Sequence, residues 1–552
     1  MGIDRRLRIV QKDGGGACRW IDMRQIRLLQ NRETAMNLFA SSHERVNQNL
    51  ISLVVSELTE LLSSAEEWDE AEMEEQVWRV VLGIGRMTMQ ALVGLRCWAI
   101  TKRELEERGF AEDDISFRNT RSRWPTVTTT FGEVEFPWFS YCYQDNGKSV
   151  TRTPARQEVF VAFRRCKSSR LCLRWEAELG SRLPFREAQE LLELFTHGAV
   201  SIEDTTIAKH CRGVGGMVDR SMMYASPADI RSTLDDHATR DVVTGRPILY
   251  VSCDAHDERL YADDNSWQAG WKHVNAIRLW CVDRDSGDFI PIGGEFIFGD
   301  CHAVSEAFQW LQKNGVLPKG GEYGDGVTAQ YVWVADGMPW FDDHILAHFD
   351  TIIPIIDVWH VLERVSKTLK ALYGDTSTKR KQLYRKLKRL ALGKTTSRSP
   401  QKMRKGHSKG LGPTRPTERV YEHARSVVAE LELDETIGGA FVYELCQIEL
   451  IREDGYAKLK KDLNYLLNRL ERMQYRRFHN RGFSISSAPM ESFHRHGAQR
   501  RLKIPGARWT KPTADALLRL RMLRHANRSD EFWNQENFDA TLAETMDRQR
   551  AA

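Results

Sequence analysis

The sequence lacks several features that would each assign the protein to a class. Its ten cysteines include no CxxC pair, which argues against a zinc ribbon and against a disulfide framework. Free thiols scattered over a long chain are typical of a reducing cytoplasm. No apolar run approaches the roughly 18 residues of a membrane-spanning helix, and the first residues lack the apolar core of a signal peptide. These absences predict a cytoplasmic protein that makes no membrane contact.

A strong excess of one charge is also missing from the chain as a whole. The 80 Lys and Arg residues nearly balance the 76 Asp and Glu residues, so the net charge is only +4. At 552 residues, with 41% apolar and 28% charged residues, the chain is long enough for about three or four soluble domains.

Basic charge is instead concentrated in one segment. Residues 364–415 contain 17 Lys or Arg residues and a single acidic residue, Asp375. A solvated helix face needs no such imbalance, so the segment favours contact with nucleic acid. The residues expected to hold phosphates are Lys379, Arg380, Lys381, Arg385, Lys386, Lys388 and Arg389.

The hydrophobic periodicity changes several times along the chain and predicts a mainly α-helical N-terminal region followed by an α/β core. The predicted segments are a basic and then helical region at 1–120, a small β-hairpin around Phe131-Gly132 at 121–150, a helical region at 151–240, the first part of the core at 245–365, a basic helical insertion at 366–480, the last part of the core at 481–535 and a polar tail at 536–552 that is expected to be a frayed helix.

Five strand-like segments lie in the predicted core. Along the chain, three strands come first, then a helix, a fourth strand, a second helix and a fifth strand. This alternation indicates α/β layers. This order resembles the RNase H-like fold, a mixed five-stranded sheet in which the first and fourth strands end side by side. The predicted strands are 248–253, 274–283, 289–298, 330–335 and 351–356.

Three carboxylates are the strongest catalytic candidates. Asp254 follows the first predicted strand, Asp336 follows the fourth, and Glu491 lies near the start of a predicted helix. Each alone has an ordinary structural interpretation, as a strand-ending residue, as part of an Asp-Gly turn or as a first-turn helix residue. A carboxylate at the exit of a buried strand is costly unless it is paired or binds a metal. Together the three predict a site for two Mg²⁺ ions, for which Mn²⁺ would substitute, and phosphoryl transfer on nucleic acid.

Further residues near these carboxylates are candidates for supporting roles. Asp357 ends the fifth predicted strand and His360 lies one turn into the next helix, so they are either a hydrogen-bonded structural pair or accessory site residues. Arg495 would share a helix face with Glu491 and reach a phosphate. Trp509 either packs against the core or stacks on a DNA base. The other basic residues expected to contact DNA here are Arg500, Arg501 and Lys503.

A second DNA-binding candidate is the pattern of helix, turn and helix at 184–214. Ser201-Ile202-Glu203-Asp204 resembles a capping box with Asp in place of Glu. The expected inward residues are Ile207, Cys211 and Val214, and the expected outward residues are Thr205, Lys209 and Arg212. The alternatives are a recognition helix that contacts DNA and an ordinary helical hairpin.

The ordered motifs from about 125 to 535 resemble DDE transposases of bacterial insertion sequences, above all the ISKra type and more distantly Mutator-like elements. The motifs are Phe131-Gly132-Glu133-Val134, Leu183 to Ala188, Asp254, Asp336 to Trp340, Asp357-Val358-Trp359-His360, Glu491, Arg508-Trp509-Thr510, Ala516 to Arg521 and Glu531-Phe532-Trp533.

The sequence departs from this family at three places. Ala255 stands where relatives often have Gly, and Ser486-Ser487-Ala488 stands where they often have Gly-Ser-Gly. Only Cys142 remains of a paired-cysteine motif after the hairpin, which removes the case for zinc there.

The resemblance implies a nucleoid-associated bacterial protein that cleaves the ends of a mobile element and joins them to target DNA. Terminal inverted repeats, target DNA and a second copy of the chain, in a homodimer or larger homo-oligomer, would be its partners. An RNase H-like nuclease without strand transfer and a catalytically inactive, transposase-derived DNA-binding protein remain the alternatives.

Overall fold

The structure is a computed structural model in which the described residues fall into two compact units. One unit comprises 1–213 and 535–552, and the other comprises 214–534. The described residues are 11–12, 18–19, parts of 51–63, 68–110, 116–117, 125–135, 139–145, 148–155, 166–261, 269–337, 344–392, 465, 468–505 and 507–551.

The first unit combines small antiparallel sheets with helices. The predicted hairpin is confirmed, because two strands pair with Thr129 opposite Gly132. Its elements are β1 (Gln11–Lys12), β2 (Cys18–Arg19), α1 (Glu70–Glu107), β3 (Ser116–Phe117), β4 (Thr126–Thr129), β5 (Gly132–Glu135), β6 (Tyr141–Asp145), β7 (Lys148–Arg152), α2 (Arg170–Arg182), α3 (Phe185–Phe195) and α4 (Asp204–Met217).

Helix α1 is long and apolar enough to cross a membrane by length and composition, and 22% of its most apolar stretch is buried. It contains no uninterrupted apolar run of about 18 residues, because Arg86, Gln90 and Arg96 interrupt the stretch. The helix starts in a capping box between Asp69 and Glu72. Gln90 on α1 accepts a hydrogen bond from the backbone N–H of Glu135 in β5 at 2.8 Å, so part of the helix packs on the hairpin.

Helices α3 and α4 form the predicted pair joined by a turn. The turn contains His197 at φ 47° and Gly198 at φ 77°, both in the left-handed region that glycine adopts most easily. The predicted capping box does not form, because the Ser201 hydroxyl donates to Glu193 and the Asp204 N–H donates to Gln189. The predicted burial is confirmed for Ile207, Cys211 and Val214.

The C-terminal segment is helical, as predicted, but it is packed rather than frayed. Helix α14 (Phe538–Ala551) buries three apolar side chains at intervals of four residues, and these are Phe538, Leu542 and Met546. This spacing places them on one helix face. The sequence obscured it because the intervening residues are strongly polar.

The second unit is built on a mixed five-stranded sheet, which is compatible with the predicted RNase H-like core. The strand order is β10-β9-β8-β11-β12, with β8, β11 and β12 parallel and β8, β9 and β10 antiparallel. The strands are β8 (Ile248–Tyr261), β9 (Ala269–Val282), β10 (Phe289–Phe298), β11 (Gln330–Ala335) and β12 (Ile352–Ile356).

Strands β8 and β9 are longer than predicted. They remain paired from Tyr250 opposite Trp280 out to Tyr261 opposite Ala269, well past the edge where β11 ends. Asp254 therefore lies within β8. The sequence-based prediction that Asp254 follows the end of a strand was wrong. The prediction stopped early because the polar residues after Asp254 resemble a turn, whereas backbone pairing with β9 holds them extended.

Helices precede, separate and follow these strands. They are α5 (Pro227–Asp236), α6 (Cys301–Lys313), α7 (Val358–Tyr373), α8 (Thr378–Ala391), α9 (Tyr475–Asn480), α10 (Ala488–Phe493), a π-helix (His494–Gln499), α11 (Arg500–Leu502), α12 (Lys511–His525) and α13 (Ser529–Trp533). Helices α7 and α8 share one apolar core with the sheet, in which Val361, Leu387 and Tyr250 are fully buried. The predicted insertion therefore begins as part of the core, and its remainder at 393–464 is outside the described residues.

Candidate active site

The sheet brings two of the predicted carboxylates to the same level. Strands β8 and β11 pair in parallel from Ile248 opposite Gln330. The same register places Asp336, the first residue after β11, level with Asp254 in β8. The hydroxyl of Tyr465 donates a hydrogen bond to the backbone carbonyl of Asp336, which holds the chain at the strand exit.

Asp254 lies in an environment that disfavours its charged form. Burial, together with the nearby charges of Asp336 and Glu491, raises the pKa of this carboxyl to about 6. The Ala255 backbone N–H, 2.8 Å from Asp254 Oδ1, and the charge of His360 oppose the shift. All three predicted carboxylates are thus close enough to interact electrostatically.

Glu491 approaches the sheet from the first turn of α10 and faces His360. His360 Nε2 lies 3.5 Å from Glu491 Oε1. This contact lowers the pKa of the Glu491 carboxyl. It also raises the pKa of His360 to about 9, with further contributions from Asp357, Asp336 and Asp254. His360 is therefore a charged partner of the carboxylates at neutral pH and not a free general base.

Asp357 links the segments that carry His360 and Glu491. Its Oδ1 accepts hydrogen bonds from the backbone N–H groups of Trp359 at 2.6 Å and His360 at 3.1 Å, which caps α7. Its Oδ2 accepts from both the backbone N–H and the hydroxyl of Ser487, the hydroxyl at 2.7 Å. Asp357 is almost completely buried, so the structural alternative from the sequence is supported for this residue.

The basic residues after Glu491 divide into exposed and buried positions. Arg495 is exposed and close enough to contribute to the lowered pKa of Glu491, after the larger effect of His360. Arg500 is also exposed, and Lys503 lies 4.0 Å from Glu258. Arg501 is fully buried with its guanidinium 4.4 Å from the Trp509 ring centre, so the predicted DNA contact of Arg501 is wrong for this structure.

Trp509 is buried in the second unit. Only 6% of its surface is exposed, and its indole N–H donates to the Leu502 carbonyl at 3.0 Å. Its neighbour across the ring is Arg501. This environment supports packing over the alternative of stacking on a DNA base.

His494 lies beside Asp254 and contacts His256, which in turn contacts Glu258; none of these three residues was predicted from the sequence. His494 Nε2 lies 3.3 Å from Asp254 Oδ2, and the His494 ring meets the His256 ring edge-on at 4.7 Å. His256 Nε2 lies 3.0 Å from Glu258 Oε1. The alternation of Asp254, His256 and Glu258 is a strand signal that could have placed them on one face; His494 had no such signal.

The predicted phosphate-binding residues on α8 lie on a helix with one buried side. Exposed members are Lys379, Lys381, Arg385 and Arg389. The half-buried members are Arg380, Lys386 and Lys388. The Arg380 guanidinium lies 3.4 Å from the Asp375 carboxylate, and the Lys388 ammonium lies 4.9 Å from the Trp359 ring centre. The helix thus presents a basic face, and its contact with DNA stays a prediction.

The outward residues predicted on α4 differ in their exposure. Thr205 is exposed, whereas Lys209 and Arg212 are half-buried. The Arg212 carbonyl accepts a hydrogen bond from Gln549 on α14 at 3.0 Å. Helix α14 thus contacts the end of α4, and the DNA contact of Thr205, Lys209 and Arg212 stays a prediction.

The side chains that the structure describes do not, as they stand, form a metal-binding group. Among the described residues, no group of three His, Cys, Asp or Glu side chains is arranged to hold a metal ion. The chemistry of the three carboxylates nevertheless fits Mg²⁺, which prefers oxygen ligands. Burial is the largest cause of the raised pKa of Asp254, and the negative charges of Asp336 and Glu491 add to it. A cation would relieve this repulsion.

Comparisons with known proteins add little to this description. No family model matches the chain, and no curated protein matches it. Among solved structures, a chain of the Drosophila P element transposase strand transfer complex is similar over 66% of this chain and 93% of its own length, at 12% identity and a TM-score of 0.31. A likeness of this degree does not establish a shared fold or activity.

Proposed function

We propose that the protein is a DDE-type DNA transposase that cleaves at the ends of a mobile element and joins the 3′ ends to target DNA. The proposal is carried by one observation. Parallel pairing of β8 and β11 sets Asp336 level with Asp254, and Glu491 interacts electrostatically with Asp254. Three carboxylates gathered in this way are suited to two-metal phosphoryl transfer.

In this proposal Asp254, Asp336 and Glu491 would hold two Mg²⁺ ions, or Mn²⁺ in their place. When bound, the ions would supply activation of the attacking oxygen and stabilisation of the leaving oxygen of a phosphodiester. Asp357 fixes the start of α7 and the loop before Glu491, so it orients His360 and Glu491 without touching substrate. His360 offsets part of the carboxylate charge.

Charged residues around the site would bind DNA. Arg495, which lies close enough to lower the pKa of Glu491, and Arg500 are both exposed and would contact phosphates near the cleaved bond. The exposed side of α8 would hold the DNA backbone farther away through the charge of Lys381, Arg385 and Arg389. Terminal inverted repeats, target DNA and a second protein copy are the partners that this function requires.

The decisive experiment combines the full chain with DNA that carries the element's own ends, target DNA and Mg²⁺. We expect strand cleavage followed by joined products, both abolished when EDTA removes the metal. Cleavage without joining would instead indicate a nuclease. Tight DNA binding with neither reaction, in Mg²⁺ and in Mn²⁺, would indicate a catalytically inactive DNA-binding protein.

A further inference from the structure

The contact between His494 and Asp254 is not explained by packing alone. His494 follows the helical turn that carries Glu491 and begins the six-residue π-helix His494–Gln499. Only 3% of its surface is exposed, and its Nε2 lies 3.3 Å from Asp254 Oδ2. π-Helical turns are rare and occur frequently at functional sites.

The ring of His494 is confined by aromatic neighbours. It meets His256 edge-on at 4.7 Å and Phe296 at 5.7 Å. The adjacent Phe493 stacks on Phe296 at 4.6 Å with an interplanar angle of 7°. This packing aims the ring at Asp254 and leaves it little rotational freedom.

Neither ring nitrogen of His494 has a hydrogen-bond partner among the residues that the structure describes, although both are buried. Leaving a buried N–H without a partner is unfavourable. A neutral imidazole carries one N–H, and the Asp254 carboxylate is already within 3.3 Å. A small rotation of that carboxylate would complete the bond.

We propose that His494 is a positioning residue, whose Nε2–H donates to Asp254 Oδ2 and fixes the carboxylate for binding a divalent cation. The inference rests on the proposed function. The Ala255 N–H already holds Oδ1 at 2.8 Å, so His494 would fix the second oxygen and hence the plane of the carboxylate. Hydrogen bonds of this kind orient metal ligands, and their removal typically weakens metal binding 10- to 100-fold.

The test compares substitutions that keep or remove a donor at the Nε2 position. In His494→Gln the side-chain amide nitrogen can reach the place of Nε2, whereas in His494→Asn it can reach only the place of Nδ1. Binding of Mn²⁺ alone is followed by electron paramagnetic resonance without DNA. Cleavage of end DNA under single-turnover conditions and thermal melting are measured in parallel.

We expect His494→Asn to weaken Mn²⁺ binding by about 10- to 100-fold and to slow cleavage by a similar factor. His494→Gln should restore most of both, while DNA affinity stays unchanged in each variant. Phe493→Leu serves as the packing control, because it disturbs the same aromatic cluster and keeps the donor. It should lower the melting temperature and leave Mn²⁺ affinity within about twofold of the unaltered protein.

The inference is overturned if the Asn and Gln variants bind Mn²⁺ equally, or if His494→Asn behaves like Phe493→Leu. The failure of the proposed function looks different. In that case Asp254→Asn itself would bind Mn²⁺ as tightly as the unaltered protein. Loss of binding in Asp254→Asn, with normal binding in His494→Asn, would reject only the role of His494.

Discussion

The carboxylate site and the basic helix α8 are both highly charged, but they hold their charges differently. Asp254, Asp357 and Glu491 each face a specific neighbour at a defined distance. On α8 most basic groups extend into solvent, and the buried side of the helix is apolar. Activity at the carboxylate site should therefore depend on the position of individual atoms, whereas DNA binding by α8 should depend on its total charge. A single substitution in the carboxylate site should abolish its function, whereas substitutions on α8 should each weaken binding by a small amount.

The largest expected effect is the loss of chemistry in Asp254→Asn. The change keeps the shape of the side chain but removes the negative charge that a cation needs, so cleavage of end DNA should fall below detection. DNA affinity should be unchanged or slightly higher, because fewer negative charges oppose the phosphates. Gel-based cleavage and fluorescence anisotropy measure the two quantities. Cleavage at a near-normal rate would contradict the assignment of this carboxylate.

Trp509→Ala should destabilise the protein strongly without a separate effect on DNA. Truncating a buried Trp costs about 3–5 kcal/mol, and the change also removes the surface on which the Arg501 guanidinium lies. Thermal or urea unfolding measures this destabilisation. A sharp fall in cleavage with unaltered unfolding would show that the ring stacks on DNA instead.

Asp357→Ala tests whether a residue that touches no substrate can control the site. The substitution removes the cap of α7 and leaves the N–H groups of Ser487 and Trp359 without their acceptor. We expect the free energy of unfolding to fall by roughly 2–4 kcal/mol, from the cap and the buried groups together. Cleavage at low temperature, where the variant stays folded, should also fall. Ser226→Ala, at the N-cap of α5, is the matched control because it removes a cap away from the carboxylates.

The smallest effect per residue is expected on α8. Replacing Lys381, Arg385 and Arg389 with Gln should weaken binding to all DNA sequences alike, and the log–log salt dependence should flatten by about 0.9 for each phosphate that is no longer neutralised. Melting temperature should hardly change, since these side chains are exposed. The control replaces three exposed basic residues elsewhere, Lys102, Arg186 and Lys319. Equal salt slopes in both triple variants would show that α8 is only a solvated face.

The order of the strands could be predicted because buried strands produce continuous apolar runs that are separated by polar segments. The same argument placed Asp336 at a strand exit and brought it to Asp254. It could not predict the length of β8, because residues 256–259 are polar and are held extended by pairing with β9. Whether a segment pairs depends on the sequence of the strand beside it, so the amino-acid pattern of one strand alone does not show how far the pairing extends.

Side chains on helices were harder to assign than those on strands. Arg500 and Arg501 are adjacent in a basic segment, yet one is exposed and the other is fully buried. An α-helical period alone could not separate them, because a π-helix precedes them. The burial of these residues follows tertiary packing on the sheet, which no local pattern encodes.

The π-helix after Glu491 has a consequence for how this segment can change over generations. A π-helical turn closes its hydrogen bonds between residues i and i+5, so it holds one residue more than an α-helical turn. Deleting one residue between 494 and 499 would therefore convert the turn to an α-helix and leave Arg500 and Arg501 facing as they do now. A deletion elsewhere between Glu491 and Trp509 would instead change which side chains face the sheet. Sequences descended from a common ancestor with this protein should therefore concentrate one-residue length differences in this segment at 494–499.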